Sequence, residues 1–200
     1  MRVILASRSP RRREILSMLG VKFEIVSADA DESSTETDPV ALVRELALRK
    51  GRAARDLLIA RGEWNKHTLI IASDTVVAKD NAILGKPADD ADAARMLRLL
   101  ANGAHRVISG VALLCGDREI ADADVTVVHF APMSDAEIAY YVQSGEPHDK
   151  AGAYAVQGLA SLWIEGLEGD YFNVVGLPVH RLNDLARRFI GVSLPALASN

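Results

Sequence analysis

Short apolar runs alternate with amphipathic segments along most of the chain, and this alternation constrains the fold more than any other feature. Residues 3–6 and 69–72 are continuous apolar runs of strand length, which predict buried strands. Between them, apolar residues recur at helical spacing after Asp38-Pro39, which predicts a long amphipathic helix. Because both patterns mix throughout, the sequence predicts an α/β fold with a mixed sheet flanked by helices.

The remaining segments extend this pattern. Turn and capping residues separate them, including Ser9-Pro10 at a helix start and Gly116-Asp117 between two strand patterns. One helix is predicted to begin at Ser9-Pro10, and further helices are predicted over residues 89–101, 134–142 and 179–189. Strands are predicted over residues 23–26, 75–78, 106–115, 119–130 and 161–167. Residues 29–38 are predicted to form a loop.

Composition limits the class of protein. The chain has 200 residues, 49% hydrophobic residues and a net charge of −4, which suits a globular domain and argues against a protein that coats nucleic acid. We expect one domain over residues 1–190, with two lobes around a cleft, and a loosely ordered tail over 191–200. No apolar window reaches the length of a membrane span, so we expect a cytoplasmic protein; a homodimer is one possible assembly.

The first candidate for chemistry is the arginine-rich segment that follows the first strand. Ser7 and Ser9 lie where this strand leads into a helix, and Arg11 and Arg12 follow at once. Helix N-termini favour anions, and arginine side chains match phosphate oxygens. An exposed basic turn is the alternative, but positive charge there is unfavourable unless an anion compensates. The segment therefore predicts a phosphate site.

Two acidic features could serve a metal or a water molecule. Asp74 ends an apolar strand, where α/β proteins often present ligand-binding groups, although an aspartate in a tight turn is a common alternative. Asp29, Asp31 and Glu32 lie in an acidic loop whose carboxylates could bind a hard cation or could simply be solvated. Local sequence alone does not decide between these readings.

Three lysines stand out by position. Lys50 falls on the apolar side of its predicted helix, Lys86 lies in the rigid Gly85-Lys86-Pro87 turn, and Lys150 precedes Ala151-Gly152. Each could bind phosphate as a point charge, and each could equally be a surface lysine or part of an ion pair. The five histidines have no zinc-ligand spacing, and the chain lacks the phosphate-loop motif G-x-x-x-x-G-K-[ST].

Together these segments resemble the Maf family, also called septum-formation inhibitor proteins. The resemblance runs in family order from residue 5 to residue 178. It is carried by Leu5-Ala6-Ser7, Ser9-Pro10-Arg11-Arg12, Asp31-Glu32, Ser73-Asp74-Thr75-Val76-Val77, Gly85-Lys86-Pro87, the stretch from Asp149 to Gly158 (DKAGAYAVQG) and Val175-Gly176-Leu177-Pro178.

The resemblance implies a fold and a reaction. The fold is an elongated mixed sheet with a central cleft, similar in architecture to the inosine-triphosphate pyrophosphatases. The reaction is metal-dependent hydrolysis of a nucleoside triphosphate to the monophosphate and pyrophosphate. Asp74 matches the family's general base, and Glu32, Lys50, Lys86 and Lys150 match residues of the same site. We expect Mg²⁺ or Mn²⁺ at Glu32 and Asp74, with phosphates held by the serines, Arg12 and the lysines.

Three positions distinguish substrate classes within the family. Arg11, Thr75 and Gln157 match the residues of the members that act on dTTP and UTP. Members that act on 7-methyl-GTP instead have tryptophan, glutamine and glutamate at these three positions. A glutamine amide can both donate to and accept from the O4/N3–H edge of uracil or thymine. The alternatives are the same chemistry on 7-methyl-GTP or modified pyrimidine triphosphates, or a non-catalytic nucleotide-binding regulator of septum formation.

Overall fold

The computed structural model describes residues 1–198. Its helices and strands alternate along the chain as the apolar pattern predicts. The helices are α1 (Pro10–Met18), α2 (Pro39–Ala60), α3 (Asp90–Leu100), α4 (Asp135–Gln143), α5 (Tyr171–Val175), α6 (Val179–Ile190) and α7 (Leu194–Ala198). The strands are β1 (Arg2–Ala6), β2 (Glu24–Ile25), β3 (Thr68–Lys79), β4 (Ala82–Leu84), β5 (Gly103–Cys115), β6 (Arg118–Phe130) and β7 (Ile164–Glu168).

One sheet contains the strands of the described residues. Its order is β2-β1-β3-β5-β6-β7, and β4 pairs with β3. β1 runs parallel to both β2 and β3, whereas β4 is antiparallel to β3 and β7 is antiparallel to β6. The predicted mixed α/β sheet is therefore confirmed.

The chain separates into two compact units. Unit 1 comprises Met1–Asp74, Ser109–Asp124 and the chain from Gly176 onward, and unit 2 comprises Thr75–Ile108 and Val125–Val175. The predicted cleft between two lobes stays a prediction.

In unit 1, α2 packs closely on the strands. Asp38 caps its first turn by accepting from the backbone amides of Val40 and Ala41, as expected for an aspartate before a helix. A methyl group on Gly110 would overlap the Val43 carbonyl, and one on Gly51 would overlap the Leu114 side chain. These two glycines therefore allow the close approach of helix and strand, and Lys50 is carried on the same turn as Gly51.

Unit 2 has a core rich in aromatic residues. His105, Phe130 and Tyr154 form edge-to-face contacts with ring centroids 4.8–5.3 Å apart. Tyr141 of α4 is fully buried, and Ser134 and Glu137 form a capping box at the start of this helix. The Tyr141 ring also packs against Trp163, with ring centroids 5.8 Å apart, so α4 contributes to the same core.

The buried His105 makes unit 2 sensitive to acid. Burial, with smaller contributions from Lys79 and His129, lowers the pKa of His105 to about 3. Below a pH of about 6.5 the unfolded chain binds a proton that the folded chain does not, so stability falls as pH falls. The measurement is the free energy of unfolding by urea as a function of pH, in the parent and in His105→Gln. Between roughly pH 6 and 4, we expect the slope in the variant to be smaller by about 1.4 kcal/mol per pH unit, because the variant lacks this histidine. Equal slopes in both proteins would contradict this.

Two strand predictions require correction. The segments 69–72 and 75–78 are one continuous strand, β3, because the polar Ser73 and Asp74 between them are buried within it. The strand predicted over 161–167 begins only at Ile164, since Leu159–Leu162 forms a 3-10 helix. Ser161 favours this turn because its Oγ donates to the Gly158 carbonyl at 2.6 Å.

The C-terminal segment differs from the predicted loose tail over residues 191–198. Leu194 and Leu197 of α7 are buried, and the Leu194 amide donates to Asn183 Oδ1 at 2.9 Å. Apolar burial thus holds the segment where its sequence shows only a weak pattern. The last two positions of the predicted tail, 199 and 200, lie outside the described residues.

Two smaller observations concern single features. Cys115 is buried, and burial raises the pKa of its thiol. Among residues 1–198, none of the helices combines the length and the apolar character that crossing a bilayer requires.

Candidate active site

The end of β1 brings the first candidate residues beside the middle of β3 in unit 1. Ala6 of β1 pairs with Ala72 of β3, so Ser7 follows β1 beside the point where Ser73 and Asp74 follow the paired part of β3. Ser7, Ser73 and Asp74 are all buried. Asp74 does not end its strand as predicted, because β3 continues to Lys79; only the parallel pairing with β1 ends just before it, at Ala72. The edge where parallel strands end is where α/β sheets commonly bind ligands.

Lys50 joins the two predicted metal-binding carboxylates. Its Nζ lies 2.5 Å from Asp74 Oδ1 and 3.0 Å from Glu32 Oε1. The Asp74 side chain is 10% exposed and that of Glu32 is 61% exposed. A buried carboxylate is costly unless it is paired, so the ammonium group compensates Asp74. This pairing explains why a lysine interrupts the apolar side of α2.

Arg12 is held beside this group by neutral partners. Its Nε donates to the Gly176 carbonyl at 2.8 Å, and its terminal nitrogen donates to Ser7 Oγ at 3.3 Å. Burial lowers the pKa of Arg12, while the charges of Asp74 and Glu32 oppose that shift. Ser73 Oγ donates to the same Gly176 carbonyl at 2.9 Å. One carbonyl therefore accepts from both the arginine and Ser73, in the middle of β3.

The start of α1 has the features of an anion site. Ser9 is the N-cap with no side-chain capping bond, Pro10 occupies the first turn, and that turn has no acidic residue. The Ser9 amide donates to Ser7 Oγ at 3.2 Å, which shapes the approach to the helix. The partial positive charge at this helix start therefore has no acidic side chain in its first turn to compensate it. An anion from a ligand could do so, which is the role of the predicted phosphate site.

The acidic loop divides into residues near Lys50 and residues engaged elsewhere. Asp31 Oδ1 accepts from the Ser33 amide and hydroxyl at 2.9 and 2.6 Å, and these bonds lower the pKa of Asp31. Asp29 pairs with Arg8 at 2.8 Å on the exposed surface. Of these three carboxylates, only Glu32 contacts Lys50; the metal-binding role predicted for Glu32 stays a prediction.

The donor chemistry fits a divalent cation that shares its ligands with a substrate. Glu32 and Asp74 offer carboxylate oxygens around one positive charge, the Lys50 ammonium. Residues 1–198 contain no group of three or more histidine, cysteine or acidic side chains suited to a metal ion. Mg²⁺ commonly uses one or two carboxylates and completes its shell with water and phosphate oxygens. The two carboxylates therefore suit a cation brought with a triphosphate.

In unit 2, two of the motif segments meet. The Gly152 amide donates to the Gly85 carbonyl at 3.0 Å, which places the Gly85-Lys86-Pro87 turn beside the segment containing Lys150. Gly152 has a φ of 70°, and a methyl group there would lie 2.7 Å from Val77 Cγ2. Glycine is needed at this position for both reasons.

The remaining predicted residues of unit 2 differ in exposure. Lys86 and Gln157 are exposed, and Thr75 is half-buried. The Lys150 Nζ donates to the Glu146 carbonyl at 2.7 Å and to Asp149 Oδ1 at 2.5 Å. Arg11, in unit 1, is half-buried. The ligand contacts predicted for these residues stay predictions.

Sequence reasoning missed two features of these groups. The Gly176 carbonyl was not singled out beyond its motif, because a backbone acceptor has no signal of its own in a sequence. Glu146 was not singled out either, although its carboxylate accepts from Tyr141 and Leu159. The Gly145-Glu146-Pro147 turn directly before the long motif was the available signal.

Comparisons with known proteins show which family and which relatives this chain is similar to. The family described as "Maf-like protein" matches residues 2–189. A protein of Symbiobacterium thermophilum named dTTP/UTP pyrophosphatase is 45% identical over 188 residues, covering 94% of this chain and 93% of the relative. One of the same name from Alkaliphilus oremlandii is 46% identical over 195 residues, covering 96% of this chain and 98% of the relative.

A search of solved structures gives a weaker likeness. A chain titled "The structure of the Staphylococcus aureus Ham1 protein" is similar with a TM-score of 0.44 and 15% identity, over 66% of this chain and 72% of that chain. At that score the likeness adds nothing to the assignment.

Proposed function

The chain belongs to the Maf family, and from that membership we propose that it hydrolyses nucleoside triphosphates, with dTTP and UTP preferred, to the monophosphate and pyrophosphate. The observation that carries the proposal is the pairing of the buried Asp74 with Lys50, 2.5 Å apart, just past Ala72, where the parallel pairing of β3 with β1 ends. The names of the relatives support the reaction, since both are called dTTP/UTP pyrophosphatases.

Asp74 is the general base of the proposed reaction. It accepts a proton from a water molecule, whose oxygen forms a bond to the α-phosphorus while the bond to the β-phosphate bridging oxygen breaks and pyrophosphate leaves. Lys50 engages Oδ1 of Asp74, so we assign the accepted proton to Oδ2. General-base catalysis by a positioned side chain contributes about 10²- to 10⁴-fold.

The positive groups of unit 1 bind the triphosphate. Arg12 presents forked donors from a fixed position, because its Nε is held by the Gly176 carbonyl. The start of α1 and the Lys50 ammonium add positive charge. Glu32 and Asp74 would hold Mg²⁺ or Mn²⁺, which when bound neutralises charge on the phosphate oxygens. Most of the rate enhancement then comes from positioning and electrostatics.

The predicted specificity residues are tested by replacing two of them with the residues found in the members that act on 7-methyl-GTP. We expect Gln157→Glu combined with Thr75→Gln to lower kcat/KM for UTP and to raise it for 7-methyl-GTP, changing their ratio about 100-fold. A glutamate accepts from the N1–H and N2–H₂ donors of guanine but cannot donate to O4 of uracil. The measurement is kcat/KM for both nucleotides in the parent and the double variant. An unchanged ratio would remove these residues from base selection.

A substrate panel tests the function itself. Pyrophosphate release is measured from dTTP, UTP, CTP, GTP and 7-methyl-GTP with Mg²⁺ or Mn²⁺, and again with EDTA. We expect release from dTTP and UTP that EDTA abolishes. Release only from 7-methyl-GTP would keep the reaction and overturn the specificity. A folded protein that binds nucleotide without turnover would instead be the regulator.

The proposed enzyme acts on a free nucleotide, so neither a nucleic acid polymer nor a membrane is among its proposed partners. A cytoplasmic location and a possible homodimer stay predictions; fractionation of cells and light scattering of the purified chain test them.

A further inference from the structure

In unit 2, the segment that carries Lys150 and Gln157 is fastened at its two ends by one carboxylate. Glu146 lies before the segment, and its Oε2 accepts from the Leu159 amide, beyond the segment, at 3.1 Å. A methyl group on Gly158 would overlap this carboxylate, and Gly158 has a φ of 133°. The chain between residues 146 and 159 therefore forms a loop closed by the Glu146 side chain.

Tyr141 anchors this closure to α4. Its hydroxyl donates to Glu146 Oε1 at 2.7 Å and accepts from the Ala155 amide at 3.2 Å. Tyr141 is fully buried, and burial together with Glu146 raises the pKa of its phenol. The phenol therefore stays protonated and continues to donate to the carboxylate at physiological pH. The loop is thus fixed to the helix at Glu146 and again at Ala155.

The same residue also contacts Lys150 inside the loop. The Lys150 Nζ donates to the Glu146 backbone carbonyl at 2.7 Å, and the Lys150 side chain is only 14% exposed. Glu146 consequently contacts the loop at Lys150 and at Leu159, while Tyr141 holds it at Ala155. Gln157 lies between the two amides that these side chains bind.

We propose that Glu146 is a positioning residue, which with Tyr141 sets the geometry of Lys150 and Gln157 for substrate binding and base selection. Its carboxylate accepts two hydrogen bonds, one on each oxygen, from the Tyr141 hydroxyl and the Leu159 amide. Glutamine has the same shape but only one accepting oxygen, so its amide nitrogen would face one of these two donors. The kinetic part of the proposal rests on the proposed function.

The first test uses Glu146→Gln without substrate. We expect hydrogen exchange at the Ala155 and Leu159 amides to become at least about tenfold faster in this variant. Glu137→Gln is the matched control, because it removes a carboxylate from the capping box of the same helix, α4, without touching the loop. Unchanged protection of Ala155 and Leu159 in Glu146→Gln would overturn the proposed closure, whatever the activity of the protein.

The second test separates binding from chemistry. With UTP, we expect Glu146→Gln to raise KM about tenfold and to reduce the preference for UTP over CTP, while kcat changes less than about threefold. Tyr141→Phe, which keeps the ring, should shift KM and the preference for UTP over CTP in the same direction. The variant that combines Glu146→Gln with Tyr141→Phe should show less than the sum of the two single effects, because the two side chains act together. Glu137→Gln should lower thermal stability and leave both quantities unchanged.

The outcomes distinguish this inference from the proposed function. If the parent protein fails to hydrolyse any nucleotide, the proposed function fails, and the exchange experiment still decides whether the loop is closed by Glu146. If the parent hydrolyses UTP and both variants keep the parent KM and nucleotide preference, the positioning role is overturned. If Glu146→Gln does not fold, Tyr141→Phe alone decides in the same way.

Discussion

Asp74→Asn should lower kcat for UTP by about 10²- to 10⁴-fold while the protein stays folded. The asparagine amide keeps the size of the side chain, and its oxygen can still accept the hydrogen bond from Lys50. It cannot take a proton from the attacking water. Nucleotide binding should therefore persist with little change in Kd, and the measurement pairs single-turnover pyrophosphate release with calorimetric titration of a non-hydrolysable UTP analogue.

The control for this variant is Asp29→Asn. Asp29 is 93% exposed and pairs with the exposed Arg8, so the same chemical change there should leave turnover unchanged. Near-parental turnover in Asp74→Asn would remove Asp74 as the base. Loss of both turnover and binding would mean that the proposed metal-binding role of Asp74, and not proton transfer, accounts for the effect.

Lys50→Met should reduce kcat/KM for UTP by about 10²- to 10³-fold. The substitution keeps the long apolar stem on α2 and removes the positive charge that contacts both Asp74 and Glu32. Without this charge, the buried Asp74 loses its counter-ion and the triphosphate loses a cation. Since a divalent cation competes with the ammonium for the same carboxylates, we also expect Mn²⁺ to bind the variant more tightly than the parent when no nucleotide is present.

Lys22→Met is the matched control, because Lys22 is exposed and its replacement removes an identical group. This control should alter neither kcat/KM nor Mn²⁺ binding. A steady-state assay measures kcat/KM, and an electron paramagnetic resonance titration measures Mn²⁺ affinity. Should Lys50→Met keep the parental kcat/KM, the ammonium would have only a structural part in holding α2. Unchanged Mn²⁺ affinity would show that metal and lysine use different oxygens.

Much of the fold could be predicted because its signals are local. Asp38-Pro39 caps α2 as predicted, and the capping box at Ser134 begins α4, since a cap depends on residues within one turn. The strand from Thr68 to Lys79 was divided wrongly at Ser73 and Asp74. Polar residues normally end a buried run, but here the Gly176 carbonyl, more than a hundred positions away, accepts from the Ser73 hydroxyl. No local pattern contains that partner.

In the candidate site, too, local sequence predicted some features, whereas others depend on residues that are distant along the chain. The motifs placed Asp74 at a strand end, and the polar Lys50 on an apolar helix face signalled an unusual environment. Neither observation shows that Lys50 lies between Asp74 and Glu32. That arrangement depends on how closely α2 packs on the sheet, which Gly51 and Gly110 permit.

The sequence by itself determined the elements, the family and the residue types available for chemistry, because periodicity, caps and motifs are properties of neighbouring residues. Only the tertiary structure decided which polar groups pair with one another: Lys50 with Asp74, Arg12 with the Gly176 carbonyl, and Glu146 with Tyr141 and Leu159. The physical reason is that a buried polar group must find its partner in space. The partner's place along the chain is set by packing and not by spacing.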